Sequence, residues 1–120
     1  MLIQTQCMIN AMFMNKLGIG AIVLLRLPFT NGVGYKRRPA LVLKDCEDGD
    51  IIVCRITSRI YNTKYDIYLN DWSKFGLKLP SVVRVHKMAT LEMGMIEITM
   101  GKIDDTILCE VKEVYKSVID

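Results

Sequence analysis

Three short stretches of this sequence carry side chains that could bind a phosphate or transfer a proton. The first is the basic run Lys36-Arg37-Arg38, which lies between a glycine-containing loop and Pro39. Proline biases the residue before it toward an extended backbone, which predicts that Arg38 sits at the entrance of a strand. A guanidinium held rigidly there can meet a phosphate with two parallel hydrogen bonds. The alternative is that the three cations form an ordinary solvated charge run.

The second stretch ends a strand-like segment with hydroxyl groups. Thr57 and Ser58 close the apolar run 51–57, and Arg59 follows them. Hydroxyls in this position can hydrogen-bond a phosphate or a ribose, and they can equally cap a turn. Their residue types alone leave both uses open.

The third stretch pairs an arginine with the single histidine of the chain. Alternation along a strand predicts that Arg84, His86 and Met88 point to one face and that Lys87 points to the other. An imidazole beside a guanidinium could exchange protons with a substrate. A histidine at a strand end can also be a plain surface residue.

Two aromatic residues could stack on the bases of single-stranded RNA. Tyr35 lies in the glycine loop beside the basic run, which makes it the better candidate. Trp72 is expected to pack beneath the sheet instead.

The elements that must position these residues are mostly short strands. Apolar runs between glycine and turn signals predict strands at 19–27, 40–43, 51–57, 66–69, 80–87 and 96–103. Asp104 or Asp105 can then cap a helix, in which apolar residues recur at helical spacing to Ile119. The pattern predicts a mainly β fold with a strongly curved sheet and a C-terminal helix that packs on the core.

Composition limits the class of protein. The chain has 120 residues, of which 51% are hydrophobic, as in one small globular domain. No apolar stretch approaches the roughly 18 residues that a membrane helix needs. The net charge of +3 is uneven, because residues 1–44 carry six basic and no acidic side chains whereas residues 45–120 carry 10 and 13. A concentrated basic region suits a compact face for a polyanion, although a chain this short could acquire one by chance.

Neither the cysteines nor the acidic residues form a recognisable metal site. The four cysteines lack the CxxC spacing of zinc sites and any secretory context, which predicts reduced thiols and a cytoplasmic protein. Cys54 and Cys109 lie in apolar patterns and are expected in the core. The acidic run 45–50 has too few oxygen ligands for a calcium loop, and it predicts a hairpin turn with Gly49 at a positive dihedral angle. We expect no metal and no cofactor.

Residues 1–16 differ from the rest of the chain. They contain four methionines, polar interruptions and no basic n-region, so they do not match a signal peptide. The predicted organisation is an N-terminal extension at 1–16, either mobile or a start-site artefact, followed by a single domain at 17–120.

From about Gly18 to Val118 the chain resembles the MazF/PemK (Kid) toxins of bacterial toxin-antitoxin pairs. The resemblance rests on segments that follow one another in the family's order: Pro28-Phe29-Thr30, the glycine loop, Lys36–Leu43, Ile51–Ser58, Gly76-Leu77, Pro80–Arg84, Thr90-Leu91 and the final helix. Relatives commonly carry acidic residues where this chain has Ala21 and Arg26. Both departures add positive charge beside the loop.

The resemblance implies a small SH3-like (MazF/PemK/CcdB-like) barrel that forms a homodimer, with single-stranded RNA crossing the dimer face. It also implies a metal-independent, sequence-specific endoribonuclease that acts through a ribose 2′-hydroxyl and leaves a 2′,3′-cyclic phosphate and a 5′-hydroxyl. The implied catalytic residues are Arg38, Thr57, Arg84 and His86. The implied substrate-binding residues are Tyr35, Lys36, Arg37, Ser58, Arg59 and Lys87.

At one catalytic position the chain departs from its relatives. In the Kid-like branch the arginine is followed two residues later by an aspartate that takes part in acid-base chemistry, and His86 stands in that place here. His86 could serve as the base or could only bind phosphate. Other branches lack the pair and still cut RNA, so the chemistry could also rest on Arg38 and Thr57.

The same resemblance implies partners. It predicts a cognate acidic antitoxin with a disordered segment that folds on binding, contact with operator DNA only through the antitoxin complex, and no membrane. Two other functions would keep the same fold: a non-catalytic RNA-binding barrel and a gyrase-directed toxin. The combination of Arg38 with Thr57 argues against the gyrase-directed toxin, which has no use for it.

Overall fold

The protein folds around one curved antiparallel sheet. The computed structural model describes residues 17–120, and the extension predicted at 1–16 lies outside the described residues. The strands are β1 (Ala21–Pro28), β2 (Tyr35–Asp45), β3 (Asp50–Thr57), β4 (Asp66–Leu69), β5 (Ser81–Glu92) and β6 (Ile96–Lys102). Their order in the sheet is β4-β5-β3-β2-β1-β6. A single-turn 3-10 helix spans Met93–Met95, and helix α1 spans Asp105–Ile119. The predicted mainly β fold with a C-terminal helix is confirmed, as a barrel-like sheet whose edge strands β4 and β6 share no ladder.

Both faces of the central strands are buried, which explains why the sequence of β1 is a continuous apolar run rather than an alternating one. The first core, on the helix side, includes Ile22, Leu41, Cys54, Ile56, Val83, Val85, Phe75 and Val111. The second core, on the other side, includes Val23, Leu25, Ala40, Val42, Ile51 and Val53. Trp72 packs against the first core, as predicted.

Helix α1 begins at a side-chain cap. The carboxylate of Asp104 accepts a hydrogen bond from the backbone N–H of Ile107 at 2.9 Å, one of the two caps that the sequence predicted. Val111 is buried in the first core, whereas Ile119 is 61% exposed, so only part of the apolar stripe is used. The prediction of a core Cys109 is wrong, because this thiol is on the exposed side of the helix. None of the helices in residues 17–120 has the length and hydrophobicity to cross a membrane.

The second strand is longer than its sequence indicated. It begins at Tyr35, whereas the apolar pattern placed its start at residue 40. The hairpin with β1 continues through the basic run, with Leu27 opposite Lys36 and Leu25 opposite Arg38. Arg38 therefore lies inside a paired strand rather than at a strand entrance. The acidic turn that follows this strand has Gly49 at a φ of 94°, as predicted.

A bulge in β5 breaks the alternation that the sequence predicted. Cys54 of β3 pairs with Met88, but the next residue, Arg55, pairs with Arg84, so residues 85–87 have no partner on β3. Met88 packs against the first core. The prediction that Met88 shares a face with Arg84 is therefore wrong. The three unpaired residues break the alternation, so the side chain of Met88 lies on the opposite face of the sheet from that of Arg84.

Candidate nucleic-acid interface

Cross-strand pairing gathers the polar side chains of β2, β3 and β5 on one face of the sheet. Consecutive pairs form a row across the strands that contains Val23, Ala40, Arg55, Arg84 and Asp66. Arg38 lies two residues before Ala40, and Thr57 lies two residues after Arg55. Side chains two residues apart in a strand share a face, so Arg38 and Thr57 lie on the same side as Arg55.

A cleft of about 860 Å³ opens beside Arg38 and Thr57. It is lined by the ends of β2 and β3, by part of β6 and by the segment 76–81, and the polar side chains of its wall are Arg37, Arg38, Arg55, Thr57, Ser58, Lys78, Ser81 and Thr99. None of the described lining residues is acidic or a histidine. The cleft is therefore a cationic, hydroxyl-lined site, which suits an anionic ligand.

Pro39 explains where the cleft opens. The ladder between β2 and β3 ends at the pair Ala40–Arg55. Proline has no backbone N–H to continue that ladder, and it is tolerated here because β2 pairs with β1 alone at this point, with Leu24 opposite Pro39. The two strands separate beyond Ala40, which leaves Arg38 and Thr57 on either side of the opening.

Two glycines bring the far wall of the cleft against β6. A Cβ atom at Gly76 would collide with the carbonyl oxygen of Met100, and one at Gly101 would collide with that of Phe75. Gly76 also has a φ of 88°, which other residues rarely adopt. The backbones of 75–76 and 100–101 are thus in direct contact, so this wall is fixed by main chain.

The two main candidates for phosphate binding remain available in the cleft. Arg38 is exposed, and its Nη1 donates to the carbonyl oxygen of Arg37 at 2.9 Å, which steadies the guanidinium. The hydroxyl oxygen of Thr57 accepts a hydrogen bond from the backbone N–H of Arg59 at 3.2 Å. Thr57 therefore caps a turn, and its hydroxyl hydrogen is still able to point to a ligand.

Part of the basic run is already engaged by protein. The guanidinium of Arg37 donates two hydrogen bonds to the carboxylate of Glu97, at 2.7 and 3.0 Å. Hydrogen bonding from Arg37 lowers the pKa of Glu97, so this pair is charged over the whole neutral range. Arg26 lies 4.1 Å from the ring centre of Tyr35, which covers one face of that ring. The predicted stacking surface of Tyr35 is therefore reduced to its other face.

Arg84 and His86 lie outside the cleft lining, in a second group that we term the Arg84–Asp66 cluster, which consists of Tyr61, Tyr65, Asp66, Arg84 and His86. The Nε of Arg84 donates to Asp66 Oδ1 at 2.8 Å, and its guanidinium carbon lies 3.6 Å from the centre of the Tyr61 ring. The side chains of Arg84 and Asp66 are only 10% and 1% exposed. This geometry is that of a buried ion pair.

His86 packs at the edge of this cluster. Its ring centre is 5.0 Å from that of Tyr65, and its Nδ1 is buried without a hydrogen-bond partner in the described part of the chain. Burial lowers the pKa of His86 most, and the charges of Arg84 and Lys87 lower it further, while Asp66 acts in the opposite direction. The imidazole is therefore neutral at neutral pH, which is the form that can accept a proton.

The structure also identifies residues that the sequence did not single out. Arg55 and Lys78 line the cleft, and Asp66 holds Arg84. The sequence did not predict a role for Arg55, because its neighbours across the sheet, Ala40 and Arg84, are far from it in the sequence. Among the remaining predicted residues, Ser58 lines the cleft, Lys87 is exposed and Arg59 lies 5.1 Å from the ring centre of Tyr61.

Comparison with known proteins identifies the family. Residues 19–119 match the profile of the PemK-like, MazF-like toxin of type II toxin-antitoxin system. The chain belongs to this family. A search of curated proteins gives no match to this PemK/MazF-family chain.

Three solved structures of other proteins have a similar fold. The MazE–MazF complex of Deinococcus radiodurans has a TM-score of 0.73 at 23% identity, over 86% of this chain and 95% of that one. The Mycobacterium tuberculosis toxin MazF-mt6 has a TM-score of 0.66 at 18% identity, over 82% and 96%. An endoribonuclease in complex with its cognate antitoxin, from a mycobacterial species, has a TM-score of 0.67 at 13% identity, over 84% and 92%.

Proposed function

We propose that this protein is the toxin of a type II toxin-antitoxin pair and that it acts as a metal-independent endoribonuclease on single-stranded RNA. The observation that carries the proposal is the cationic cleft, in which Arg38 and Thr57 flank the opening between β2 and β3. Membership of the PemK/MazF family supports it. The Mycobacterium protein described as an endoribonuclease has the same fold.

In the proposed reaction a base removes the proton of a ribose 2′-hydroxyl, and the oxygen attacks the neighbouring phosphorus. The bond from phosphorus to the 5′-oxygen breaks, and that oxygen takes up a proton from solvent, to which the base later returns the proton that it removed. The products are a 2′,3′-cyclic phosphate and a 5′-hydroxyl, and no water is consumed. Arg38 stabilises the charge that develops on the phosphate, and the hydroxyl of Thr57 positions it.

Acid-base chemistry is assigned to the neighbouring cluster. Neutral His86 is the proposed proton acceptor, since the described cleft lining has no carboxylate or imidazole of its own. Arg84 is the proposed source of positive charge beside His86. Tyr35, Lys36, Arg37, Ser58, Arg59 and Lys87 remain proposed contacts to the substrate around these four residues.

The decisive experiment compares the parent with Arg38→Ala on a long single-stranded RNA in the presence of a chelator. Loss of one charge contact to the transition state should slow cleavage by about 100-fold or more, without loss of folding. Sequencing of the 5′ ends would give the cleavage motif and the end chemistry together. Near-parental cleavage by Arg38→Ala would contradict the assignment, and abolition by chelator would contradict metal independence.

A second function, RNA binding without cleavage, is favoured by one observation: Arg84 is withdrawn into its ion pair and does not line the cleft. An RNA-binding barrel of this kind would retard single-stranded RNA in a gel and leave it intact. The cleavage assay therefore separates the two functions. Supercoiling by gyrase in the presence of the protein tests the gyrase-directed alternative.

The proposed partners are an acidic antitoxin and a second copy of the chain. The Deinococcus radiodurans relative is a MazE–MazF complex. Exposed apolar side chains, among them Leu79 at 58% and Ile98 at 53%, flank the basic cleft of this chain and suit a partner that combines acidic and apolar residues. Co-expression with an acidic protein encoded next to it should relieve toxicity. Light scattering after size exclusion should give the mass of a dimer.

A further inference from the structure

We infer that Arg55 is a substrate-binding residue, which holds the RNA phosphate next to the one at Arg38 and Thr57. The inference rests on the proposed function, because that function identifies the polyanion as single-stranded RNA. In this arrangement the cleft binds two consecutive phosphates, and Arg55 rather than Arg84 binds the second.

Arg55 is accessible and faces the cleft. Its side chain is exposed and forms part of the cleft wall. Its partner on β2 is Ala40, whose side chain is only a methyl group and does not compete for the cleft as a charged neighbour would. Within residues 17–120 no carboxylate forms an ion pair with Arg55, whereas Arg37 is neutralised by Glu97.

The charges across β3 and β5 are unbalanced. Arg55 lies directly opposite Arg84, and residues paired in this way have Cβ atoms about 4.5–5.5 Å apart. Asp66 pairs with Arg84 from the far side, on β4. Asp66 thus balances the charge of Arg84 alone, and like charges directly opposite each other, as Arg55 and Arg84 are, destabilise a sheet. An anion bound at Arg55 would remove this repulsion.

The position of Arg55 relative to Arg38 fits two adjacent phosphates. Arg38 precedes Ala40 by two residues, so it lies diagonally from Arg55 on the neighbouring strand, just beyond the end of the β2–β3 ladder. Diagonal neighbours in a regular ladder are about 7–8 Å apart. Their long side chains can reach neighbouring phosphates of one strand. Arg84 is much less able to do so, because its side chain is only 10% exposed.

The test measures binding apart from cleavage. The probe is a short, fully 2′-O-methylated single-stranded RNA, which cannot undergo attack by a 2′-hydroxyl. Each phosphate contact to a single strand contributes about 0.7 to the slope of log K against log salt. Arg55→Ala should therefore reduce the slope by about 0.7 and weaken binding about five-fold at 0.1 M salt. Arg55→Lys should keep the slope, and Lys112→Ala, a cation on the exposed side of α1, should change neither quantity.

Cleavage of unmodified RNA supplies a second readout. Arg55→Ala should mainly raise KM, whereas Arg38→Ala should mainly lower kcat, because only Arg38 is assigned to the reacting phosphate. Circular dichroism on Arg55→Ala and Arg55→Gln checks folding, which an exposed site should preserve.

An unchanged salt slope in a folded Arg55→Ala variant would overturn the inference, even if the parent cuts RNA. Weaker capture of a peptide of alternating glutamate and leucine, with RNA binding unchanged, would overturn it in favour of a peptide contact. A parent that binds RNA with the Arg55-dependent slope but does not cut it would support this inference and refute the nuclease proposal.

Discussion

Loss of either partner of the Arg84–Asp66 ion pair should destabilise the fold by about 3–5 kcal/mol, the usual cost of leaving one charge of a buried pair uncompensated. The two groups are 2.8 Å apart, and their side chains are 10% and 1% exposed. Charges about 4 Å apart attract by about 4 kcal/mol at an effective dielectric constant of about 20, which is consistent with that range. Stacking of Arg84 on Tyr61 adds a smaller contribution.

Urea unfolding of the parent, Asp66→Ala and Arg84→Ala gives the measurement. With a slope of about 2 kcal/mol per M, the midpoint should fall by about 2 M in each single variant. The double variant Arg84→Met with Asp66→Leu should recover most of the lost stability, because well-packed apolar residues commonly replace a buried ion pair without loss. Arg55→Ala, which removes an exposed cation, serves as control and should stay within about 0.5 kcal/mol of the parent.

The same pair predicts a dependence on pH. Burial acts to raise the pKa of Asp66, but hydrogen bonds from Thr63 and Arg84 outweigh it, so the pKa is lowered on folding. Because folding lowers this pKa, the ionised carboxylate of Asp66 stabilises the folded state. This stabilisation is complete above the pKa of the unfolded chain, near 3.9, and is lost as the pH falls through the pKa of the folded protein. The parent should therefore lose stability relative to the double variant below about pH 4, because only the parent carries the Asp66 carboxylate.

This comparison also decides what Arg84 does. If Arg84 only holds the sheet, the double variant should regain cleavage together with stability. If Arg84 touches the substrate, the double variant should be stable and inactive. A single variant Arg84→Ala that loses less than about 1 kcal/mol would refute the structural reasoning altogether.

Three further predictions concern other parts of the chain. If His86 is the base, cleavage should decline only at a pH below 6.5, the ordinary pKa of histidine, since burial and Arg84 lower the pKa of this residue. His86→Asp should extend activity toward about pH 4. A His86→Ala variant that cuts RNA like the parent from about pH 5 to pH 8 would show that His86 takes no part in the reaction. Gly76→Ala should cost at least about 2 kcal/mol in urea unfolding, because its φ of 88° and its contact with Met100 leave no space, whereas Gly49→Ala, with open space around it, should cost less. Asp104→Ala should lower stability by about 1 kcal/mol through loss of the cap on Ile107, and an unchanged unfolding midpoint would show that the cap is dispensable.

Local patterns were sufficient for most of the fold. Apolar runs and turn residues located all six strands, and Asp104 located the start of the helix, because these features depend on neighbours in sequence. The start of β2 was missed because the residues of the basic run are polar. Only pairing with β1 shows that they continue the strand.

The candidate site was less predictable, because its composition depends on pairings between distant residues. The sequence predicted Arg38 and Thr57 as site residues, but it did not reveal the partner that Asp66 provides for Arg84 from 18 residues away. It also placed Met88 on the wrong face, since a bulge in β5 leaves no clear mark in the order of residues. Burial is the largest cause of the lowered pKa of His86, ahead of the charge of Arg84, and the sequence does not show how deeply this ring is buried.

The backbone contact of residues 75–76 with residues 100–101 affects how a ligand binds. A wall made of two main chains, with no side chains between them, cannot widen or narrow by a change of rotamer. A ligand therefore meets one wall that is already shaped, and that wall loses little ordering entropy on binding. Substitutions at flexible wall residues such as Lys78 and Leu79 should then act chiefly on the dissociation rate, so discrimination between RNA sequences would reside in how long each one stays bound.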